Sequence, residues 1–279
     1  MKCGLSMYSL LAPVRAGQLD LLGFLDYAAQ TGFEGVELLD MFWTDEVGQI
    51  PEVKRRCAAL GLKLPVYSIS TNFFRPDAMA RDAELAGLKH GVDVAAQLGA
   101  PLLRVFSGEL LPAYSFEQGF AWVVDCLATG AEYASQSGIT LVLENHGQIA
   151  GRSDQVRAII EAVGSPALRS NLDTGNFLLV GEDPPQAATA LADLVALVHL
   201  KDFTHASPDE GGHAYRDLVG QLYTGAIVGE GLVDLQAIHD VLTRQGYTGW
   251  LSLEYEGNIE PLQDAVPRCL AAMRALLQP

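Results

Sequence analysis

Four segments of the sequence each place an acidic or imidazole side chain at the end of an apolar run. They are LVLE, which ends at Glu144, SNLD, which ends at Asp173, LVHL, which contains His199, and LSLE, which ends at Glu254. Leaving such groups buried and unpaired would cost about 1–3 kcal/mol each. Three carboxylates brought together would also repel one another unless a cation lay between them. We therefore predict that these four residues bind one divalent metal ion.

The types of the predicted ligands limit the choice of metal. Carboxylate and imidazole donors suit Mn²⁺, Mg²⁺, Co²⁺ or Zn²⁺, and of these we expect Mn²⁺. A thiolate zinc site is disfavoured because no cysteine lies near the four positions. The four cysteines have no C-x-x-C spacing, which predicts reduced, mostly buried thiols in a cytoplasmic protein.

Two further polar residues follow predicted ligands by two positions and would point the same way on a strand. His146 follows Glu144, and we predict that it donates to a substrate hydroxyl or acts as a general acid. Holding a ligand in place is the alternative role. Lys201 follows His199 and would hold an anionic group or help to expel a hydroxyl. Its alternative is an ion pair with Asp202 or Glu230.

Two residues near the end of the second apolar run are predicted to contact a substrate. Glu37 would bind a distal hydroxyl or act as a base, with a structural role as the alternative. Trp43 would pack against the apolar face of a sugar, unless its ring serves only in packing.

These residues belong to a repeating pattern of strands and helices. Strict alternation predicts a parallel sheet with helical crossovers, and eight units in 279 residues favour a single-domain (β/α)8 barrel of the α/β class over residues 1–279. An open doubly wound sheet is the alternative, although no G-x-G-x-x-G follows a strand. In a barrel, the carboxyl ends of all strands meet at one mouth. The predicted strands span 2–9, 34–40, 62–70, 100–108, 139–147, 168–176, 194–202 and 249–257; the predicted helices span 18–31, 46–60, 77–98, 115–137, 153–164, 185–193, 232–246 and 259–278.

Composition excludes several classes of partner. The chain is 49% hydrophobic and carries a net charge of −16, so we expect a large core and no binding of nucleic acid. No apolar stretch approaches the roughly 18 residues of a membrane span, and the N-terminus lacks a signal-peptide pattern. One segment, 203–231, is about 29 residues long, well beyond an ordinary loop, and we predict that it folds as a lid.

Several motifs resemble those of the xylose-isomerase-like barrels, a family that includes sugar isomerases and epimerases, inosose dehydratases and apurinic-site endonucleases. They are GFEGVELL, LENHG, NLDTGN, HLKD, GEGLVD and GWLSLEYE, and together they cover nearly the whole chain. The resemblance implies the same four metal ligands. It also implies that Glu144 and Glu254 act as acid and base, and that homo-oligomers form through the helical shell or the mouth loops.

Departures from particular branches of that family narrow the function. The endonucleases hold three zinc ions with additional histidines, whereas this acidic chain has six histidines, of which His90 and His239 lie in predicted helices. Ketose epimerases have a D-x-x-H motif, and here the final position is Asn176. They also have an arginine six residues after the strand-seven histidine, and here that position is His205. We predict that Asn176 and His205 bind substrate, and a standard ketose 3-epimerase is disfavoured.

The resemblance and the predicted cluster together favour a metal-dependent isomerase or epimerase of a small keto-sugar, cyclitol or related polyhydroxy carbonyl compound. A divalent ion at the carbonyl and its neighbouring hydroxyl would acidify the α C–H and stabilise the enediolate that forms. The alternative is a lyase of the inosose or dehydroshikimate dehydratase type, or one that acts on oxidised glycosides. A non-catalytic sugar-binding barrel is a third hypothesis.

Overall fold

Eight parallel strands close into a barrel in a computed structural model that describes residues 1–207 and 214–278. Around the barrel the strand order is β1-β11-β7-β6-β5-β4-β3-β2, so each strand pairs with its sequence neighbours and the last pairs with the first. This confirms the predicted (β/α)8 fold. The barrel strands are β1 Lys2–Ser6, β2 Gly35–Leu39, β3 Lys63–Ser68, β4 Leu102–Val105, β5 Thr140–Glu144, β6 Leu168–Asp173, β7 Val195–Leu200 and β11 Trp250–Leu253.

Helices cover the outside of the barrel, and local sequence signals fix their ends. Ser115 caps α5 in a capping box with Gln118, and Asp234 caps α9. Ser153 is the first residue of α6, and its hydroxyl bonds Glu182. The helices are α1 Leu11–Arg15, α2 Leu21–Thr31, α3 Glu46–Leu60, α4 Ala78–Leu98, α5 Phe116–Gln136, α6 Ser153–Val163, α7 Asn176–Leu179, α8 Pro184–Leu191, α9 Leu235–Arg244 and α10 Val266–Leu276. None of those in the described chain is long and apolar enough to cross a membrane.

Apolar side chains fill both sides of the strands. Val66, Val142 and Leu197 form a small buried cluster of their own, with Trp250 packed against it. Gly35 lies so close to Trp250 that a Cβ there would come within 2.7 Å of the indole ring. The much larger core lies between the strands and the helices, and it makes the barrel a rigid support for the strand ends.

The long segment after β7 carries a small antiparallel sheet. Its strands are β8 Phe203–His205, β9 Tyr215–Arg216 and β10 Leu222–Gly225, in the order β8-β10-β9. The described parts of 203–231 are therefore folded, while the role of the segment as a lid stays a prediction. Residues 208–213 of this segment lie outside the described residues.

Asp202 fixes both ends of this inserted segment. Its Oδ2 accepts hydrogen bonds from the amides of Gly229 and Gly231 at 3.0 and 2.9 Å. Its Oδ1 accepts from the amides of Phe203 and Val233 at 2.9 and 3.1 Å. Burial still raises the pKa of Asp202, although these four bonds oppose that rise. The carboxylate thus ties the start of the insertion to its end, directly beside the mouth of the barrel.

Replacing Asp202 with alanine is expected to lower the free energy of unfolding by about 3 kcal/mol, because four amide donors, two of them on the buried residues Phe203 and Val233, lose their acceptor. Urea unfolding followed by circular dichroism would measure the change. Asp82→Ala, at an exposed position on α4, is the matched control. Equal stabilities for the two variants would contradict the assigned role of Asp202.

Candidate metal centre

The four predicted ligands meet at the carboxyl ends of neighbouring strands. Glu144 ends β5, Asp173 ends β6, His199 lies near the end of β7, and Glu254 follows β11. The pairing of β6 with β7 sets Asp173 directly beside His199. One donor atom from each of the four residues lies within 4.8 Å of the others, and all four side chains are buried. The barrel thus brings together the cluster that the sequence predicted.

The hydrogen bonding of the cluster fits a divalent cation. His199 Nδ1 is 3.3 Å from Glu144 Oε2 and 3.5 Å from Glu254 Oε2, yet it has no hydrogen-bond partner among the described residues. In the same part of the chain, Asp173 Oδ2 makes no hydrogen bond, although the Lys201 ammonium lies 3.0 Å away. Buried polar atoms are seldom left in this condition. A cation shared by these atoms would satisfy all of them, with three oxygens and one nitrogen as ligands.

Glu37 supports the cluster from below. Its Oε2 lies 3.0 Å from His199 Nε2 and accepts a hydrogen bond from Ser252 Oγ at 2.6 Å. Its Oε1 accepts a hydrogen bond from Ser68 Oγ at 2.5 Å. Burial raises the pKa of Glu37, but the charge and hydrogen bond of His199 outweigh it and hold the pKa below its usual value. The other ring nitrogen of a metal-binding histidine commonly donates to such a carboxylate.

This placement differs from the prediction that Glu37 contacts a substrate. The carboxylate is fully buried, and neighbouring side chains occupy both of its oxygens. Its alternative, structural role is the one that the geometry favours. The sequence signal was available in part, because Ser68 and Ser252 are polar residues inside otherwise apolar strands.

Replacing Glu37 with glutamine is expected to weaken Mn²⁺ binding 10- to 100-fold, because the His199 ring loses its orienting carboxylate. Calorimetric titration of the metal-free protein with Mn²⁺ would measure the change. Glu52→Gln, on the outer helix α3, is the control. An unchanged Mn²⁺ affinity in Glu37→Gln would contradict the positioning role.

Lys201 lies within the cluster. Its Nζ is 2.7 Å from Glu254 Oε2, 3.0 Å from Asp173 Oδ2 and 2.7 Å from Glu256 Oε1. Burial alone would lower the pKa of this ammonium, but the three carboxylates outweigh burial and hold the pKa well above its usual value. The alternative partners, Asp202 and Glu230, are engaged elsewhere, by backbone amides and by Arg268. The sequence prediction of a cation beside the ligands thus agrees with the geometry.

Arg104 on β4 is a functional candidate that the sequence analysis missed. Its side chain is buried, its Nε lies 3.3 Å from Glu144 Oε2, and its Nη1 donates to the carbonyl of Ile69 at 3.1 Å. The guanidinium also stacks over the Phe106 ring at 4.1 Å. A charged residue inside the apolar run APLLRVFSG was the available signal.

The carboxylates of the cluster differ in their affinity for protons. Burial on its own would raise the pKa of all three carboxylates. At Glu144 the charges of His199 and Arg104 outweigh burial and lower the pKa. At Glu254 the charges of Lys201 and His199 lower it well below its usual value. Asp173 is the exception, because burial there outweighs the charge of Lys201 and raises the pKa to about 7. Of the three carboxylates, Asp173 is therefore the one whose ionisation is least favourable without a metal.

Two asparagines connect the ligand strands. Asn145 accepts a hydrogen bond from the amide of Asp173 at 2.7 Å and donates to the carbonyl of Asp173 at 2.9 Å. Asn176 donates to the carbonyl of Asn145 at 3.0 Å and to Glu144 Oε1 at 3.3 Å. Asn145 thus fixes the backbone of one ligand, while the amide of Asn176 reaches the carboxylate of another.

A cavity of about 310 Å³ opens above the cluster. His146 lines it, with its ring half-buried and 4.5 Å from that of Phe106, and burial lowers the pKa of this histidine so that it is neutral at pH 7. Glu144, Asn176, Lys201 and Glu254 line the same cavity. Five of the predicted site residues therefore face one space of the size that small ligands occupy.

Two predicted substrate-binding residues lie outside this cavity. The indole of Trp43 donates to the hydroxyl of Tyr67 at 2.9 Å and packs against the core. His205 lies exposed on β8, with its ring 5.1 Å from that of Tyr223. Both placements differ from the predictions, because neither side chain lines the cavity above the cluster.

The sequence matches a family model and is similar to several enzymes. A model of the family described as the xylose isomerase-like TIM barrel matches residues 25–276. A 3-oxo-isoapionate decarboxylase from Pectobacterium atrosepticum is 26% identical over 247 residues, which cover 87% of this chain and 81% of that protein. A 3-dehydroshikimate dehydratase from Pseudomonas putida is 26% identical over 236 residues, 82% of this chain and 35% of that protein.

A third relative is more similar over a shorter region. A 2-epi-5-epi-valiolone 7-phosphate 2-epimerase from Actinoplanes sp. is 38% identical over 123 residues, 43% of this chain and 42% of that protein. The matches to the dehydratase and to this epimerase thus span less than half of each relative's length.

Solved structures share the fold. A D-psicose 3-epimerase from Clostridium cellulolyticum H10, crystallised with D-tagatose, has a TM-score of 0.78 at 15% identity and full coverage of both chains. The IOLI protein with a bound zinc atom has a TM-score of 0.78 at 15% identity, with 99% of this chain and 96% of that chain covered. At this identity the likeness extends to the fold alone.

Proposed function

Because the chain belongs to the xylose isomerase-like TIM barrel family, we propose that it is a divalent-metal-dependent isomerase or epimerase of a small keto-sugar, cyclitol or related polyhydroxy carbonyl compound. The observation that carries this proposal is the buried cluster of Glu144, Asp173, His199 and Glu254 at the floor of a small cavity. The curated relatives named above are a decarboxylase, a dehydratase and an epimerase. Family membership therefore supports an enzyme but leaves several reactions open.

The four residues of the cluster would hold the ion, and we propose Mn²⁺ because three of the four ligands are carboxylates. When bound, the ion supplies positive charge that acidifies a C–H bond next to a carbonyl group. His199 keeps its orientation through Glu37, whose carboxylate lies 3.0 Å from Nε2. A ring held in this way presents Nδ1 to the centre of the cluster.

Glu144 and Glu254 suit the transfer of a proton. Their carboxylates come from strands on different sides of the cluster, and both have lowered pKa values, so both are ionised near neutral pH. One carboxylate would remove the proton next to the carbonyl. The other would take up a proton from solvent water and deliver it on the opposite face or at the adjacent carbon. The neutral imidazole of His146 and the amide of Asn176 would hold substrate hydroxyls.

A lyase is the second candidate, and Lys201 is the observation that favours it. Its ammonium is buried at the cavity floor with a raised pKa, so it stays protonated near neutral pH. A proton donor in that place could protonate a hydroxyl or an alkoxide that leaves from the carbon beside the deprotonated one. The name of one relative, a 3-dehydroshikimate dehydratase, agrees with this chemistry.

Incubation of the Mn²⁺-loaded protein in D₂O with a panel of keto-sugars and inososes tests the proposal. We expect at least one compound to acquire deuterium at the carbon beside its carbonyl, as seen by NMR and mass spectrometry. An epimerase returns a deuterated isomer of the same formula plus one mass unit, whereas a lyase also releases water or an alcohol. The Glu254→Gln variant is the control. Absence of both deuterium and elimination products from the whole panel would contradict the proposed function.

A further inference from the structure

A second cavity lies beside the one that contains the metal cluster. It has a volume of about 430 Å³, which is larger than the first. The two cavities share four wall residues, Tyr8, Arg15, Tyr215 and Glu256. The two cavities therefore adjoin at these four residues.

The walls of the second cavity differ in character from those of the first. Leu11, Ala12, Ile259 and Pro261 contribute hydrocarbon surface, in contrast to the carboxylates, amide and ammonium over the cluster. Tyr255 contributes a ring whose hydroxyl is already satisfied, because it accepts from the amide of Ile259 at 2.9 Å and donates to its carbonyl at 3.3 Å. This surface suits an apolar group better than a second sugar.

Three tyrosines give the cavity an aromatic lining: Tyr8, Tyr215 and Tyr255. The Tyr215 hydroxyl donates to Glu256, whose other oxygen lies 2.7 Å from Lys201 Nζ, so this ring is fixed to the metal cluster. Aromatic rings pack favourably against other aromatic rings in edge-to-face or offset geometry. An aryl group is therefore the apolar occupant that these walls favour.

Two polar side chains, Tyr8 and Arg15, lie where the two cavities adjoin. Among residues 1–207 and 214–278, nothing hydrogen-bonds the half-buried hydroxyl of Tyr8 or pairs with the exposed guanidinium of Arg15. Both residues line both cavities. The oxygen that links a polyhydroxy ring to an apolar substituent would lie at this junction, within reach of a phenol and a guanidinium donor.

We propose that the second cavity binds an aromatic substituent of the substrate, so that the protein prefers aryl-substituted polyhydroxy carbonyl compounds to the unsubstituted ones. The inference rests on the proposed function, because the polyhydroxy carbonyl part of the substrate must sit over the metal cluster. It adds the substrate class and assigns Tyr8, Arg15 and the walls of the second cavity to recognition of the substituent.

Matched pairs of glycosides test this inference. The methyl and the 4-nitrophenyl β-glycosides of glucose, galactose, mannose and xylose, each oxidised to the ketone at C3 so that it carries the required carbonyl group, would be titrated calorimetrically into the Mn²⁺-loaded protein. In at least one pair, the aryl glycoside should bind at least tenfold more tightly than its methyl counterpart. Ala12→Trp, which fills the second cavity from α1, should bring that ratio to within twofold. Ala58→Trp, at an exposed site on α3, is the matched control and should keep the ratio.

The outcomes separate the inference from the proposed function. Methyl and aryl glycosides that bind equally well would overturn the inference and leave the metal-dependent function standing. A preference that survives in Ala12→Trp would also overturn it, because the aryl group would then bind elsewhere. Failure of every glycoside to bind, together with failure of Mn²⁺ alone to bind in a separate titration, would overturn both. If Mn²⁺ binds but no glycoside does, the inference alone is wrong.

Discussion

Replacing Asp173 with asparagine is expected to lower the affinity for Mn²⁺ at least 100-fold while leaving the metal-free protein as stable as the wild type or more stable. The carboxylate Oδ1 accepts from the amides of Gly175 and Asn176 at 2.9 and 2.8 Å, and an asparagine oxygen can keep both bonds. The substitution therefore changes the atom at the position of Oδ2, which lies 4.0 Å from His199 Nδ1 and 3.0 Å from Lys201 Nζ and makes no hydrogen bond to a described residue. An amide nitrogen there cannot bind a cation.

The effect on the metal-free protein follows from proton linkage. The folded pKa of Asp173 is about 7, above its usual 3.8, because burial disfavours the charge. A group with a raised folded pKa stabilises the fold below its unfolded pKa, and that contribution is lost as the pH rises through the folded pKa. Between pH 4 and pH 8 the wild type should therefore lose up to about 4 kcal/mol from this residue. The asparagine variant has no ionisable group at this position, so its free energy of unfolding should rise relative to that of the wild type over the same pH range.

Two measurements check this prediction. Urea unfolding in EDTA at pH 5 and pH 8 gives the linkage, and calorimetric titration with Mn²⁺ gives the affinity. Asp82→Asn, at an exposed position on α4, is the control for the change of charge. Wild-type affinity for Mn²⁺ in Asp173→Asn would remove this residue from the ligand set. Equal dependence of stability on pH in the two proteins would contradict the raised pKa of Asp173 in the folded protein.

The barrel and the convergence of the predicted ligands were predictable because they depend on local pattern. A run of apolar residues makes a buried strand, and a parallel barrel sends every strand to the same mouth. Polar residues at the ends of LVLE, SNLD, LVHL and LSLE must therefore meet. The meeting of these residues depends on the strands alone and not on helix propensity or loop conformation, and the structure shows it.

The level of a side chain within the barrel and the direction of a side chain on a loop could not be predicted from the sequence in the same way. Glu37 belongs to β2 and lies below the ligands, whereas Glu144 and Glu254 sit at the mouth, and this difference depends on the stagger of the strands in the closed barrel. Trp43 and His205 lie beyond their strand ends, where the loop and the inserted sheet set the direction of the side chains. Residue type alone cannot give these positions.

The position of Lys201 leads to the second large expected effect. Replacing it with methionine keeps the length of the side chain but leaves Asp173, Glu254 and Glu256 without their shared ammonium partner. Removing one member of a buried ion pair typically costs about 3–5 kcal/mol. We expect a loss of that size in the metal-free protein, measured by urea unfolding in EDTA. Lys63→Met, at an exposed position on β3, is the control.

Metal should reverse much of this loss, because the ion and the ammonium neutralise the same oxygens of Asp173 and Glu254. The increase in stability on adding Mn²⁺ should therefore be larger in Lys201→Met than in the wild type. An equal increase in the two proteins would mean that the ion binds away from these carboxylates.

The same variant separates the two reactions proposed for the site. An epimerase requires only that a proton leave and return, which Glu144 and Glu254 can perform, so deuterium exchange would persist in Lys201→Met. A lyase that uses the ammonium to protonate its leaving group would lose elimination by about 10²- to 10⁴-fold while exchange continued. The ratio of exchange to elimination, measured on one substrate by NMR and normalised to bound Mn²⁺, therefore reports the role of Lys201. A fall of both rates by the same factor would assign Lys201 to the shape and charge of the cluster alone.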